Sequence, residues 1–226
     1  MSTQGFGIEE IAAGFHLDGV LYRGRLESFD FLSASLVSRA FSEHVRLAQN
    51  AGVHDYRAAS APQVYSISDA LFMNKSGAHK KLVEKARNSL DGCIGVDGEL
   101  VFVLTQVVYH SRGSNRVIHD VDLKKSWQKK ANMDSAGYIV DSKTNAKEQV
   151  QTLFNTKDSP KKANAVLKWI TGFEVYTFCF DQNSAQARVV SLGVDKDNDR
   201  FYLNANDHIG ISNSRPALGV RLSQKR

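Results

Sequence analysis

Along the 226-residue chain the apolar positions recur at two spacings, and the change from one to the other marks the expected elements. Residues 8–14 read as a short helix and residues 19–24, with Val20, Leu21 and Tyr22, as a first strand. Phe29, Leu32, Leu36, Val37, Ala40, Phe41, Val45 and Ala48 then fall at three- and four-residue steps. That stripe predicts one long amphipathic helix, capped by Ser28 or Asp30 and stopped by Gly52. Residues 58–62 read as a loop and 64–67 as a short strand. Ser68-Asp69 opens a second helical stretch to about Leu90, broken or bent at Ser76-Gly77 because glycine is a poor interior helix residue.

Residues 93–96 and 100–109 follow as strands joined by Asp97-Gly98. The run LVFVLTQVVY, dense in β-branched and aromatic residues, predicts a central strand. Residues 112–115 form a turn that sends 116–123 back as its hairpin partner, and 124–142 are polar and irregular. Residues 143–154 suggest a helix. Another starts at Ser159-Pro160, serine as N-cap and proline in the first turn, and runs to Ile170 with Ala165, Val166 and Trp169 inward. Residues 173–180, 186–194 and 201–204 read as a three-strand meander with turns at DQNSA and DKDND, and the tail from His208 has little periodicity.

Strands come in runs with helices between the runs, which predicts an α+β fold. Its antiparallel sheet, a central hairpin plus the C-terminal meander, is packed by several amphipathic helices. Residues 1–226 read as a single domain, with 124–158 as the seam if there are two subdomains. The apolar fraction of 42% and charged fraction of 23% are those of a globular chain and exclude a disordered one.

Cys93 and Cys179 are too few for a disulfide scaffold and too far apart for a zinc site, so both read as buried thiols in strands of a protein of the reducing cytoplasm. The segment MSTQGFGIEE has neither a basic nor an apolar region of a signal peptide, and no stretch is apolar enough for a span, so no membrane partner is expected. The chain lacks GxxxxGK[ST], GxGxxG and GxSxG, and no cofactor is expected.

Charge changes the picture more. The chain carries a net +5, and residues 112–168 alone hold twelve Lys and Arg against six Asp and Glu. Within that segment Lys124, Lys125, Lys129 and Lys130 surround Trp127, Arg112 and Arg116 precede them, and Lys161 and Lys162 follow. Ammonium and guanidinium groups neutralise phosphates, and an exposed indole offers a stacking face to an unpaired base. These residues point to a non-enzymatic protein that binds single-stranded DNA or RNA. A solvated lysine loop with Trp127 at the core edge is the alternative. A homo-oligomeric assembly subunit, pairing through the edges of the meander, is the second functional expectation.

Two enzyme resemblances also arise. Glu84, Asp97 and the triplet Asp122-Leu123-Lys124 loosely resemble magnesium-dependent nucleases of the PD-(D/E)xK type, which would imply carboxylates on the cation and the lysine on the attacking water. Val20 to Gly24 followed by Val64 to Ser68 resembles the opening of Arg-Ser-Glu ADP-ribosyltransferases. That implies Arg23 on the first strand and Ser66 on the second gripping NAD, with Glu148 the nearest glutamate. Asp195, Asp197 and Asp199 alternate as in calcium loops but lack the glycine and the closing glutamate, so a hairpin turn is the reading. The seven histidines show no zinc spacing.

Overall fold

The computed structural model describes residues 5–52, 55–96, 98, 100–108, 115–121, 127–131, 137–140, 146–177, 187–205 and 214–223. Arg112, Lys124, Lys125, Asp97, Asp122, Cys179 and the DQNSA turn lie outside them, as do the side chains of Trp127, Lys129 and Lys130.

The chain opens on strands where a helix is expected. β1 (Gly7–Ile11), β2 (Gly14–Tyr22) and β3 (Arg25–Leu32) form an antiparallel run. The long helix expected over 29–48 is therefore corrected. Ser28, Phe29, Asp30 and Phe31 alternate in register on β3, and β4 (Leu36–Arg39) follows. The helical period is real only in α1 (Phe41–Asn50), which buries Phe41, His44, Val45 and Ala48. After β5 (Arg57–Ala58) comes α2 (Ala61–Met73), where a loop and a short strand are expected. Ser60 caps it reciprocally with Gln63, a capping box that fixes the helix start despite the β-branched residues behind it. α3 (Lys80–Ile94) runs on through Cys93, so that thiol is buried in a helix and not a strand.

β6 (Leu100–Val108) is central, as its composition predicts, and pairs antiparallel with β7 (Asn115–His119). Part of the stretch expected to be irregular is strand: β8 (Trp127–Ala131) pairs β7, and β9 (Gly137–Tyr138) follows. α4 (Ala146–Leu153) precedes α5 (Pro160–Thr171), whose N-cap Ser159 accepts from the Lys162 N–H. α5 buries Ala163, Val166, Leu167 and Ile170; Ala165, expected inward, is exposed. Arg87 of α3 donates to the last carbonyls of α5, those of Trp169 and Ile170.

β10 (Glu174–Thr177), β11 (Ala187–Asp195) and β12 (Arg200–Asn204) are not a simple meander: β11 and β12 are antiparallel, but β10 runs parallel to β12 on its far side. The tail expected to lack periodicity supplies two more strands, β13 (Arg215–Ala217) and β14 (Gly219–Ser223). β13 lies between β4 and β6, and β14 between β3 and β5.

The described strands make two sheets, one ordered β1-β2-β3-β14-β5 and a mixed sheet along β4-β13-β6-β11-β12-β10-β9, with β7 and β8 branching from β6. The architecture is α+β, helices packing a sheet of mixed parallel and antiparallel strands. The larger core joins Phe15, Leu17, Phe29 and Phe31 of the first sheet to Ile67 and Leu71 of α2, Leu90 and Ile94 of α3, and Val190 and Leu192 of β11. β6 serves two cores by the period of a strand: Val101 and Val103 face this one, while Phe102 and Leu104 face a smaller one under α1. No helix of the described residues is long and apolar enough to cross a membrane.

The other face of the first sheet is polar. His16 Nδ1 lies 2.6 Å from Asp30 Oδ1 and Nε2 lies 3.3 Å from Asp18 Oδ2, and Ser28 donates to Asp18 at 2.5 Å. His16 and Asp30 are buried within this network.

Candidate functional site

β2 and β3 are joined by a two-residue turn in which Arg23 (φ 52°) and Gly24 (φ 78°) are both left-handed. That conformation matches the twist of the flanking strands and closes the Tyr22–Arg25 pair tightly. The turn carries exposed Arg23 and Arg25, and just below it Leu21 and Leu26 face each other across the ladder, 61% and 43% exposed.

This hairpin forms one wall of a cleft of about 660 Å³. Pro62, Tyr65, Ser66 and Asp69 of α2 form a second wall, and Gln128 of β8 borders it. The α4–α5 connection from Phe154 to Asp158, with Lys162 of α5, completes it. Left-handed backbone at Asn155 (φ 49°) turns this connection, and the Asp158 N–H donates to Thr156 Oγ1.

One charged network crosses the cleft. The Tyr65 hydroxyl donates to Asp158 Oδ2 at 2.8 Å, while its ring stacks on Phe154 with centroids 4.9 Å apart. Lys162 Nζ lies 3.0 Å from Asp158 Oδ2 and 3.1 Å from Asp69 Oδ1, and donates to Asp69 Oδ2 at 3.3 Å. Burial pushes the Tyr65 phenol up, and its bond to the Asp158 carboxylate pushes it further. Burial would raise Asp158 too, but the bonds from Lys162 and Tyr65 outweigh it and hold this carboxyl low. For Lys162, burial is outweighed by both carboxylates and the ammonium is held above its ordinary range. Asp69 is raised, burial exceeding the pull of Lys162. The cleft thus presents a protonated phenol, an ammonium held between the carboxyl groups of Asp69 and Asp158, and neutral amides and hydroxyls, a set suited to holding a ligand.

A buried carboxylate, that of Asp120, stands behind the cleft wall. Tyr22 donates to Asp120 Oδ2 at 3.2 Å, and Asp120 Oδ1 is buried without a hydrogen-bond partner. Asp120 is left-handed (φ 50°) and follows His119, whose Nε2 donates to the Thr152 carbonyl at 2.9 Å and whose Nδ1 lies 3.1 Å from Thr105 Oγ1.

Of the residues singled out by sequence, Arg116 is exposed on β7, in register with Lys130 of β8, and Trp127 is in register with His119. Lys161 is exposed on α5, whereas Lys162 is engaged by two carboxylates. Arg23 and Ser66 border the same cleft, yet Arg23 sits in a turn and Ser66 in a helix, where the ADP-ribosyltransferase resemblance implies strands for both. Glu148 is exposed on α4 and Glu84 on α3, and the rest of the nuclease-like set lies outside the described residues. Asp195 bonds Asn198 and Arg200 across the β11–β12 turn, as a hairpin residue does. Among the described residues no group of three or more His, Cys, Asp or Glu side chains could hold a metal ion.

Sequence reasoning missed Arg25, Leu21, Leu26, Tyr65 and Asp158. The hairpin had a local signal, leucines flanking an Arg-Gly turn; the Tyr65–Asp158 bond, 93 residues apart, had none. Comparison with known proteins gave no matching family model, no similar curated protein and no similar solved structure.

Proposed function

We propose that the protein binds single-stranded nucleic acid without acting on it chemically, at the rim of the cleft between the β2–β3 hairpin and β8. The observation that carries this reading is the position of Gln128 on the cleft border. Gln128 belongs to β8, the strand of Lys129 and Lys130, and borders the same cleft as the hairpin tip that carries Arg23 and Arg25. Lys130 is two positions along β8 from Gln128, about 7 Å of strand, and Arg116 is its register partner. The backbone would be neutralised by these groups together with Arg112, Lys124, Lys125 and Lys161, and Trp127 would supply a stacking platform.

An anisotropy titration with a labelled single strand between about 50 and 200 mM salt tests the reading. Binding that weakens steeply with salt is expected. Replacing Arg23 and Arg25 together by alanine should reduce the log–log slope by about 1.4, two phosphate contacts at about 0.7 each. No binding at low salt, or affinity indifferent to salt, would sink it.

A second reading, assembly into a homo-oligomer, is favoured by the edge strand β4, where Val37 is 72% exposed. Light scattering showing a strict monomer at high concentration would exclude it.

A further inference from the structure

The cleft is electrically graded, and the gradient bears on which nucleic acid it fits. At the rim stand the exposed cations Arg23 and Lys157. On the wall formed by α2 and α5, two carboxylates, Asp69 and Asp158, share the single ammonium of Lys162. Both aspartate side chains are 23% exposed, although Asp69 Oδ1 itself is buried, so the exposed part of Asp69 is what a ligand can meet. Carboxylates only accept hydrogen bonds. A phosphate placed against that wall would be repelled, whereas a hydroxyl would donate to it. Asp158 is already held by Tyr65 and Lys162, while Lys162 is the one hydrogen-bond donor to Asp69 among the described residues. Asp69 therefore keeps the larger acceptor capacity. The cleft is also lined by Ser66, Gln128, Asn155 and Thr156, neutral donors and acceptors for a base edge, and by the open face of Leu21. The cleft volume of about 660 Å³ falls within the range of about 300–1,000 Å³ typical of small-ligand sites.

Building on the reading of the site as a single-strand interface, we infer that the cleft takes one ribonucleotide of the bound strand, with its phosphate at the Arg23 rim and its 2′-hydroxyl on Asp69. The protein then selects RNA over DNA, because a deoxyribose sets no donor against the carboxylate and leaves its acceptor capacity beyond Lys162 unfilled beside an anionic strand.

The test is anisotropy at one fixed salt concentration with three strands of the same sequence: RNA, DNA and 2′-O-methyl RNA. The unaltered protein should bind RNA about tenfold more tightly than DNA, one hydrogen bond to a charged acceptor. The 2′-O-methyl strand, which has lost the donor, should fall to the DNA level. In Asp69→Ala the RNA-to-DNA ratio should shrink to within about threefold. Equal affinity of the unaltered protein for RNA and DNA, with both salt-dependent, would overturn the selection and leave the single-strand reading standing. Binding of neither strand would overturn both. A 2′-O-methyl strand that binds as RNA does, or a preference that survives in a folded Asp69→Ala, would overturn the role of the hydroxyl or of Asp69. The comparison of strands on the unaltered protein does not depend on any variant folding.

Discussion

Arg221 of β14 and Asp30 of β3 are register partners 191 residues apart, and the guanidinium Nε and Nη2 both lie 2.6 Å from Asp30 Oδ2. The carboxylate side chain is 4% exposed and the arginine 27%. Arg221 also lies over the Tyr56 ring, 4.7 Å from its centroid. Removing the arginine leaves a buried carboxylate with His16 Nδ1, 2.6 Å from Oδ1, as its remaining side-chain hydrogen-bond partner among the described residues. Arg221→Ala should cost about 2–3 kcal/mol, below the full range for breaking a buried pair because the guanidinium is partly solvated. Arg221→Lys should recover less than half, since an ammonium lacks the fork. Urea unfolding measures both, and a loss below about 1 kcal/mol for the alanine variant would show the pair to be dispensable.

Two glycines should respond to alanine for different reasons. At Gly14 a Cβ would fall against the Phe31 carbonyl oxygen and within 2.9 Å of Leu32 Cα and Ser33 N, all backbone at the end of β3 or just after it. Gly14→Ala should cost about 2 kcal/mol or more, as β3 must move. Gly172, left-handed at φ 87° after α5, has open space where a Cβ would go. Gly172→Ala should cost about 1 kcal/mol, for conformation alone. Equal losses from the two variants would contradict this assignment of causes.

His44 predicts a loss of stability on mild acidification. Burial lowers this imidazole from its ordinary value near 6.5, exceeding the opposite pull of its 2.9 Å bond to the Arg215 carbonyl. Arg39 and Glu43 add smaller effects of opposite sign. Just below 6.5 the unfolded chain binds a proton that the folded chain rejects, so stability falls as pH drops through that window. His44→Gln keeps a donor for the Arg215 carbonyl and should flatten the decline. Urea midpoints at pH 7, 6 and 5 decide it; parallel profiles for the two proteins would assign the decline to other groups.

Asp120 predicts the opposite slope. Burial raises its carboxyl from 3.8, exceeding the attraction of Arg57 and the bond from Tyr22. Above 3.8 the folded chain holds a proton that the unfolded chain has released, so stability falls as pH rises through the window. Asparagine tolerates the left-handed backbone at this position and carries no charge. Asp120→Asn should therefore gain more, or lose less, at pH 7 than at pH 4 relative to the unaltered protein. A difference independent of pH would mean that the ionised carboxylate carries no burial penalty.

Local signals carried part of the fold. The β-branched run of β6, the cap at Ser159, the break at Gly77 and the turn before Arg200 are each set by a few neighbouring residues. Where two periods overlap, pattern alone misled. Phe29 and Leu32 fit a helix stripe, but Phe29 and Phe31 are inward on a strand because β14 and β2 stand ready to pair it. Helix α2 was hidden by Val64 and Ile67, whose propensity is overridden by burial on nearly every side. The cleft was half legible: Arg23 and Ser66 were singled out through a resemblance whose strand positions they do not occupy, and they nevertheless border one cleft. The bonds joining Tyr65, Asp69, Asp158 and Lys162 link α2 to α5 across more than ninety residues, beyond any sequence window.

The insertion of β13 and β14 into the middle of their sheets has a consequence for biosynthesis. β3 leaves the ribosome with its inner edge bare, and the strand that covers it is made 191 residues after Asp30. At about 5–20 residues per second that interval is roughly 10–40 s. Throughout it, both sheets lack an interior strand, so the nascent chain has no native resting state to adopt. Closure is a late, long-range event, and the bare edges of β3 and β6 are where holding chaperones or misassembly would act first.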